Sequence, residues 1–145
     1  MGYRAPRLYT LQINGYPTDF LDSTEYCLSN MYPWTPQVIA KYDVFKMYIP
    51  QSSIVRAVFL KGVTQNVAGS GENWTMNIRV NNTTNYAIAT VASNNPTDGV
   101  REWINTDMNV SLSKGDYIVV DFTAPAWVTN PTQYKIWGYI LLETP

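Results

Sequence analysis

A strictly alternating segment, Trp74–Asn81, constrains the fold of this 145-residue chain more than any other part of it. Its apolar residues, Trp74, Met76, Ile78 and Val80, are each followed by a polar one. Because successive side chains of a β-strand point to opposite faces, the pattern predicts a strand with one buried and one solvated face. Such a strand needs a second layer over its apolar side, so the segment favours two packed antiparallel sheets.

Further short segments with strand character follow from residue 44 onward, and turn residues separate them. Asparagine tolerates left-handed backbone angles, so the Asn-Asn-Thr-Thr sequence after Val80 predicts a hairpin turn. We predict an all-β fold: an eight-stranded antiparallel jelly-roll sandwich over residues 44–145, preceded by an extended N-terminal arm over residues 1–43. The predicted strands are Val44–Ile49, Ile54–Leu60, Trp74–Asn81, Tyr86–Val91, Val100–Ile104, Met108–Leu112, Tyr117–Phe122 and Tyr134–Leu142.

The predicted arm is rich in proline and aromatic residues and poor in charge. Its spaced prolines exclude a long helix, and its aromatic side chains are expected to be covered. Two alternatives stay open: these side chains fold back onto their own sandwich, or they contact a neighbouring subunit. The candidate interface residues in the arm are Tyr9, Tyr16, Phe20, Tyr32 and Trp34.

The last predicted strand is apolar on both faces, with Trp137 and Tyr139 on one of them. Tyr117 places an aromatic residue on one face of the strand before it. The outer face of a two-layer sandwich meets solvent unless another subunit covers it, so Tyr117, Trp137 and Tyr139 are also candidate interface residues. The alternative is that the arm of the same chain covers this face.

Composition excludes several classes of function. Charged residues are only 14% of the chain and the net charge is −1, so bulk charge favours neither nucleic acid nor an anionic membrane. The chain has no histidine and a single cysteine, Cys27, which excludes the usual hydrolytic triads and an internal disulfide. We predict a non-enzymatic protein without catalytic residues, cofactor or metal. A carboxylate pair assembled by the fold stays open as an alternative.

Trp127 is the candidate for contact with a glycan. It lies in a predicted loop between Pro125 and Pro131. An exposed indole ring there can stack on a sugar. The alternative is that Trp127 plugs one end of the sandwich or a subunit seam.

Three segments, Trp74–Val91, Arg101–Ile118 and Pro125–Thr132, resemble a C-terminal domain found in virion proteins of tailed bacteriophages. The final Gly-Asp turn, strand, loop and Trp-Gly-Tyr-Ile-Leu-Leu-Glu strand are similar to complement-type and tumour-necrosis-factor-like trimeric jelly rolls. The resemblance covers residues 44–143 and does not include the arm. It implies a homotrimer that acts as a capsid decoration protein or a fibre head, without catalytic residues.

Among these roles the sequence favours a capsid decoration (cement) protein, because it contains no coiled coil, collagen repeat or β-helix that forms a shaft. The expected partners are two further copies and the major capsid protein or another virion protein, with the arm reaching across a seam. The expected location is the capsid surface of a virion made in the host cytoplasm. The alternative is a receptor- or glycan-binding head domain of a phage head or tail fibre.

Overall fold

The computed structural model of the chain describes residues 5–15, 23–28, 37–38, 45–65, 72–92, 99–127 and 133–145. Within these ranges all regular secondary structure is β-strand. Eleven strands form two antiparallel sheets that pack face to face. The predicted all-β sandwich is confirmed. The strands are β1 (Arg7–Gly15), β2 (Glu25–Leu28), β3 (Gln37–Val38), β4 (Met47–Tyr48), β5 (Ser53–Gln65), β6 (Asn73–Val80), β7 (Thr84–Ala92), β8 (Gly99–Asn105), β9 (Val110–Leu112), β10 (Tyr117–Thr123) and β11 (Gln133–Thr144).

The first sheet, sheet A, has the strand order β1-β11-β5-β8, with β9 also paired to β5. Its centre is the long antiparallel pair of β5 and β11, whose register shifts at a β-bulge between Leu141 and Leu142. β8 and β9 share the other side of β5, where β8 covers Val58–Thr64 and β9 covers Ser53–Val55. β1 lies along residues 136–144 of β11 and forms one edge of the sheet.

The second sheet, sheet B, has the order β3-β2-β10-β6-β7, with β4 also paired to β10. β2 pairs with Val120–Thr123 of β10, and β4 pairs with Tyr117 and Ile118. β6 and β7 form the predicted hairpin, and the turn residues Asn81 and Asn82 have φ angles of 50° and 56°. The left-handed conformation expected of these asparagines is therefore confirmed.

The apolar residues of the alternating segment that begins at Trp74 form part of the core. Trp74, Met76 and Ile78 are buried between the sheets. The Trp74 ring lies 5.8 Å from Trp103 of sheet A and 5.5 Å from Phe122 of β10, measured between centroids. The Trp103 indole N–H donates a hydrogen bond of 3.3 Å to the Trp74 carbonyl oxygen. Large rings and one buried hydrogen bond thus join the two sheets.

The sandwich begins well before residue 44, so the predicted boundary between arm and sandwich needs correction. Each of the eight predicted strands corresponds to one of β4–β11, although β4 contains only Met47 and Tyr48. The three further strands, β1–β3, lie in the predicted arm, and β1 and β2 pair with the central strands β11 and β10. Because proline is tolerated between strands, the prolines that exclude a helix do not exclude these short strands.

Candidate interaction surface

The outer face of sheet A carries a cluster of exposed apolar side chains. At the middle of β5, β8 and β11 the residues that point away from the core are Phe59, Ile104, Trp137 and Tyr139, which we call the sheet A patch. Ile104 is 45% exposed, Tyr139 40% and Trp137 39%, and Phe59 is half-buried. Scattered exposed apolar residues are normal on proteins, whereas a contiguous cluster marks an interaction surface.

Strand register brings the patch together. Phe59 is the cross-strand partner of Tyr139 on one side and of Ile104 on the other. The Phe59 and Tyr139 ring centroids are 5.0 Å apart. At Gly138, between Trp137 and Tyr139, a Cβ atom would collide with the Phe59 carbonyl oxygen, so only glycine allows β11 to approach β5 this closely. The patch residues line a shallow depression of about 270 Å³.

The face around the patch has little net charge. Lys61 and Glu102 lie in the neighbouring row of the sheet, and Lys61 Nζ is 2.8 Å from Glu102 Oε1. Both side chains are 48% exposed, so this ion pair adds little to stability, but it neutralises two charges beside the patch. Val100, one row further, is exposed and apolar, and the exposed Lys135 lies in the same row. Such a face suits an uncharged partner surface, because interface centres are depleted of charge and enriched in aromatic residues.

Sheet B carries a different cluster on its outer face, formed by Glu25 of β2, Asn77 and Arg79 of β6, and Asp121 of β10. We call it the carboxyl cluster. Asn77 Nδ2 donates a hydrogen bond of 3.0 Å to Asp121 Oδ1. Arg79 Nη1 lies 3.4 Å from Glu25 Oε1 and 3.9 Å from Asp121 Oδ2. Asp121 is only 1% exposed.

Burial raises the pKa of Asp121 from its ordinary value of 3.8 to about 7, because a charged carboxylate loses its hydration in this position. The Asn77 amide lowers the pKa, the neighbouring Glu25 carboxyl raises it, and the Arg79 guanidinium lowers it. A glycosidase needs two carboxyl groups that reach the substrate. A carboxyl group as buried as Asp121 does not meet that requirement in this conformation.

The candidate interface residues lie on different faces. Trp137 and Tyr139 both belong to the sheet A patch. Tyr117 lies on the outer face of sheet B, where it packs against Cys27, Phe45 and Val119. Tyr117 does not share a sheet with the closing strand β11, because the chain crosses from sheet B to sheet A between β10 and β11.

The candidates from the predicted arm are only partly described. Tyr9 of β1 packs against the core, and its hydroxyl group forms a hydrogen bond of 2.8 Å with Ser53 Oγ. This contact corresponds to the alternative in which the aromatic residues fold back onto their own sandwich. Tyr16, Phe20, Tyr32 and Trp34 lie outside the described residues.

Trp127, the candidate for glycan contact, is part of the core. It is 6% exposed, and its ring meets that of Trp74 edge to face at 4.8 Å between centroids. A sugar would find little of the indole surface to stack on in this conformation. The position corresponds to the alternative in which Trp127 plugs one end of the sandwich.

Sequence reasoning did not select two members of the patch, Phe59 and Ile104. A signal for both was available. The segment Ile54–Leu60 is apolar at almost every position, so it presents apolar residues on both faces of its strand. Val100 and Ile104 flank Glu102 at the alternating positions opposite to the buried Trp103, so they point outward.

Within the described ranges, Cys27 and the acidic residues do not form a group of three or more that could hold a metal ion. Within the same ranges no helix is long and apolar enough to cross a membrane.

Comparison with known proteins gives distant similarities in fold alone. No family model matches the chain, and no curated protein matches its sequence. Similar solved structures include a chain of infectious bursal disease virus strain Gx, at 10% identity and a TM-score of 0.49, over 97% of this chain and 32% of that one. Eiger TNF from S. frugiperda is similar at 11% identity and a TM-score of 0.43, over 94% of this chain and 92% of that one.

A third similar structure is the Podospora anserina GH26-CBM35 β-(1,4)-mannanase, at 15% identity and a TM-score of 0.36, over 97% of this chain and 28% of that one. The chain spans about a third of the length of the viral chain. Similarities this distant assign no function to it.

Proposed function

We propose that this chain is a non-enzymatic structural protein of a virion, a homotrimer that decorates and stabilises the capsid. The main observation in support of this proposal is the sheet A patch. Its side chains, Phe59, Ile104, Trp137 and Tyr139, are adjacent on one face, and three of them are between 39% and 45% exposed. A contiguous apolar face of this kind is expected to be covered in the working assembly.

A second copy of the chain is the occupant that fits this face. Lys61 and Glu102 neutralise each other, and Lys135 is the further charged side chain in the adjoining row, so the face offers little charge for recognition of a charged partner. The outward residues of β1, from Leu8 to Asn14, are uncharged and extend the same face. Three copies that place these faces around one axis bury all three patches in a closed assembly.

The strand order supports a jelly roll as the topology of each subunit. The strands of one layer lie in the order β1-β11-β5-β8, and those of the other layer lie in the order β2-β10-β6-β7. The resemblance of residues 44–143 to trimeric virion jelly rolls points in the same direction. The role of the arm changes, however: residues 7–15 and 25–28 are strands of the sandwich. We therefore propose that the trimer contacts the capsid chiefly at its subunit seams.

The proposal is tested on virions that lack the protein. Virions made without it are expected to lose infectivity faster on heating than complete virions, and added wild-type protein is expected to restore their resistance. The Tyr139→Ala variant, which weakens the trimer contact, is expected to restore less. Equal heat resistance of complete and deficient virions refutes a decoration role.

One observation favours the alternative, a receptor- or glycan-binding head domain of a phage fibre. Tyr48 is 63% exposed and meets Tyr117 edge to face, with 5.8 Å between ring centroids. Such a pair, in which Tyr48 is exposed and Tyr117 is half-buried, can stack on a sugar ring. A glycan-array signal that Tyr48→Ala abolishes supports this role, whereas the absence of any signal from the wild-type chain counts against it.

A further inference from the structure

We propose that Asn14 and Gly15, at the end of β1, form a self-modification site: the side-chain amide of Asn14 is protected while β1 is paired with β11, and it is lost by deamidation once this end of β1 opens. The reaction consumes water and needs no cofactor. The inference rests on β1 alone and is independent of the trimer proposed above.

The Asn-Gly pair is unusual for a strand. It is the single Asn-Gly pair of the sequence, and such pairs are typical of two-residue hairpin turns, whereas both residue types are depleted in strands. Here both residues belong to β1, where Asn14 is the partner of Trp137 and Gly15 is the partner of Ile136. A local preference that the fold overrides in this way points to a specific requirement at one of the two positions.

The requirement concerns Gly15. Gly15 is buried, and a Cβ atom at this position would collide with Leu28 Cδ2 of β2 in the opposite sheet. Leu28 is only 1% exposed, so its side chain has little room to move aside. Packing between the sheets thus restricts position 15 to glycine. Glycine is also the residue that, placed after an asparagine, obstructs deamidation least, because it has no side chain.

Deamidation at this pair begins with attack of the Gly15 backbone nitrogen on the Asn14 side-chain carbon Cγ. The proton of the Gly15 N–H passes through water to the side-chain amide group, the bond between Cγ and that group breaks, and ammonia leaves. The product is a cyclic succinimide. Water then adds to either ring carbonyl carbon and opens the ring, which gives aspartate or isoaspartate. In isoaspartate the main chain runs through Cβ and Cγ, so it is longer by one carbon atom.

An intact β1 prevents the first step. The attack requires the main chain to rotate at Asn14 until the Gly15 nitrogen reaches the side chain, and the extended conformation of a strand does not allow this rotation. Pairing of β1 with residues 136–144 of β11 holds the extended conformation. In the single subunit the Asn14 side chain is exposed, so the protection comes from the backbone conformation and not from burial of the amide.

Modification makes an opening of this end of β1 permanent. Within the described residues β1 pairs with β11 alone and ends at Gly15, so this end opens at a lower free energy than a central strand. Isoaspartate lengthens the main chain before Gly15, which displaces Gly15 from Ile136 and from the space beside Leu28. Either product also places a negative charge opposite Trp137, at the border of the sheet A patch.

The test follows deamidation of the full chain over time by peptide mass spectrometry, folded in buffer and unfolded in urea at the same pH and temperature. In urea, Asn14 is expected to deamidate faster than the other asparagines of the chain. In the folded chain, Asn14 is expected to deamidate at least about tenfold more slowly than in urea. An equal rate at Asn14 in both states, or a different asparagine that leads in urea, overturns the proposal.

Two matched variants separate opening of β1 from a general loss of stability. Ile13→Ala removes a buried side chain of β1, and Ile88→Ala removes a buried isoleucine of β7 in sheet B. In the folded state, Ile13→Ala is expected to deamidate at Asn14 about tenfold faster than Ile88→Ala. Equal rates in the two variants contradict a local opening of β1. If Ile13→Ala does not fold, the comparison of folded and unfolded wild type decides.

Chains that carry isoaspartate at position 14, separated after incubation in urea and then refolded, test the consequence of the modification. Amide hydrogen exchange is expected to show loss of protection in β1, whereas the pair of β5 and β11 stays protected. Protection of β1 equal to that of the unmodified chain contradicts a permanent release.

Discussion

Replacing Tyr139 by alanine is expected to dissociate the proposed trimer and to leave the sandwich folded. In the single subunit 40% of Tyr139 is exposed, which for a tyrosine is on the order of 80 Å². At about 25 cal/mol for each Å² removed from water, covering this area stabilises the trimer by about 2 kcal/mol per subunit. A trimer of the variant then loses about 6 kcal/mol of association free energy over its three copies. This loss lowers the association constant of the trimer by a factor of about 10⁴.

Tyr86 offers a matched control, because it is the same residue type, is 38% exposed and lies on β7 of the opposite sheet. Sedimentation of both variants over a dilution series measures the mass, and urea unfolding shows that each remains folded. Tyr139→Ala is expected to dissociate at concentrations where Tyr86→Ala and the wild type do not. Equal masses for all three proteins, or dissociation of both variants, would refute the assignment of the interface to the sheet A patch.

Three further predictions concern the subunit itself. Gly138→Ala places a Cβ against the Phe59 carbonyl oxygen and is expected to lower the free energy of unfolding in urea by about 2 kcal/mol or more; an unchanged midpoint contradicts the close approach of β11 and β5. Trp127→Ala opens a cavity beside Trp74 and is expected to cost about 3–5 kcal/mol; a loss below ~1 kcal/mol places the ring outside the core. The pKa of Asp121 is raised from 3.8 to about 7 in the folded chain. The stability that this carboxyl group contributes is fully present below its unfolded-state pKa and is lost as pH rises through its folded-state pKa. The free energy of unfolding is expected to fall by up to about 4 kcal/mol between about pH 4 and pH 7, and Asp121→Asn is expected to remove that fall; an equal fall in the variant assigns it to other groups.

Local patterns in the sequence predict much of the sandwich. The alternation from Trp74 identifies the buried face of β6, and the asparagines after Val80 identify the hairpin turn. Both features depend on residues that are near in sequence, so they can be read without knowledge of the fold. The doubly apolar closing strand likewise predicts that both faces of β11 carry apolar residues, with Trp137 and Tyr139 on one of them.

Features that depend on pairing between distant segments are not predictable in this way. β1 pairs with β11 at the other end of the chain, and nothing within Arg7–Gly15 specifies that partner. The carboxyl cluster needs Glu25, Arg79 and Asp121 on three strands whose order in sheet B is not their order in the sequence. The same crossing between sheets separates Tyr117 from Tyr139, two residues that a linear reading places on one face.

The molar mass of the purified full chain, measured by light scattering at micromolar concentration, tests the central claim most directly. One chain has a mass of 16.5 kDa. The proposed trimer is expected to give a species of three times this mass that persists on dilution. A species of 16.5 kDa at every concentration, with the sheet A patch exposed to water, would contradict it.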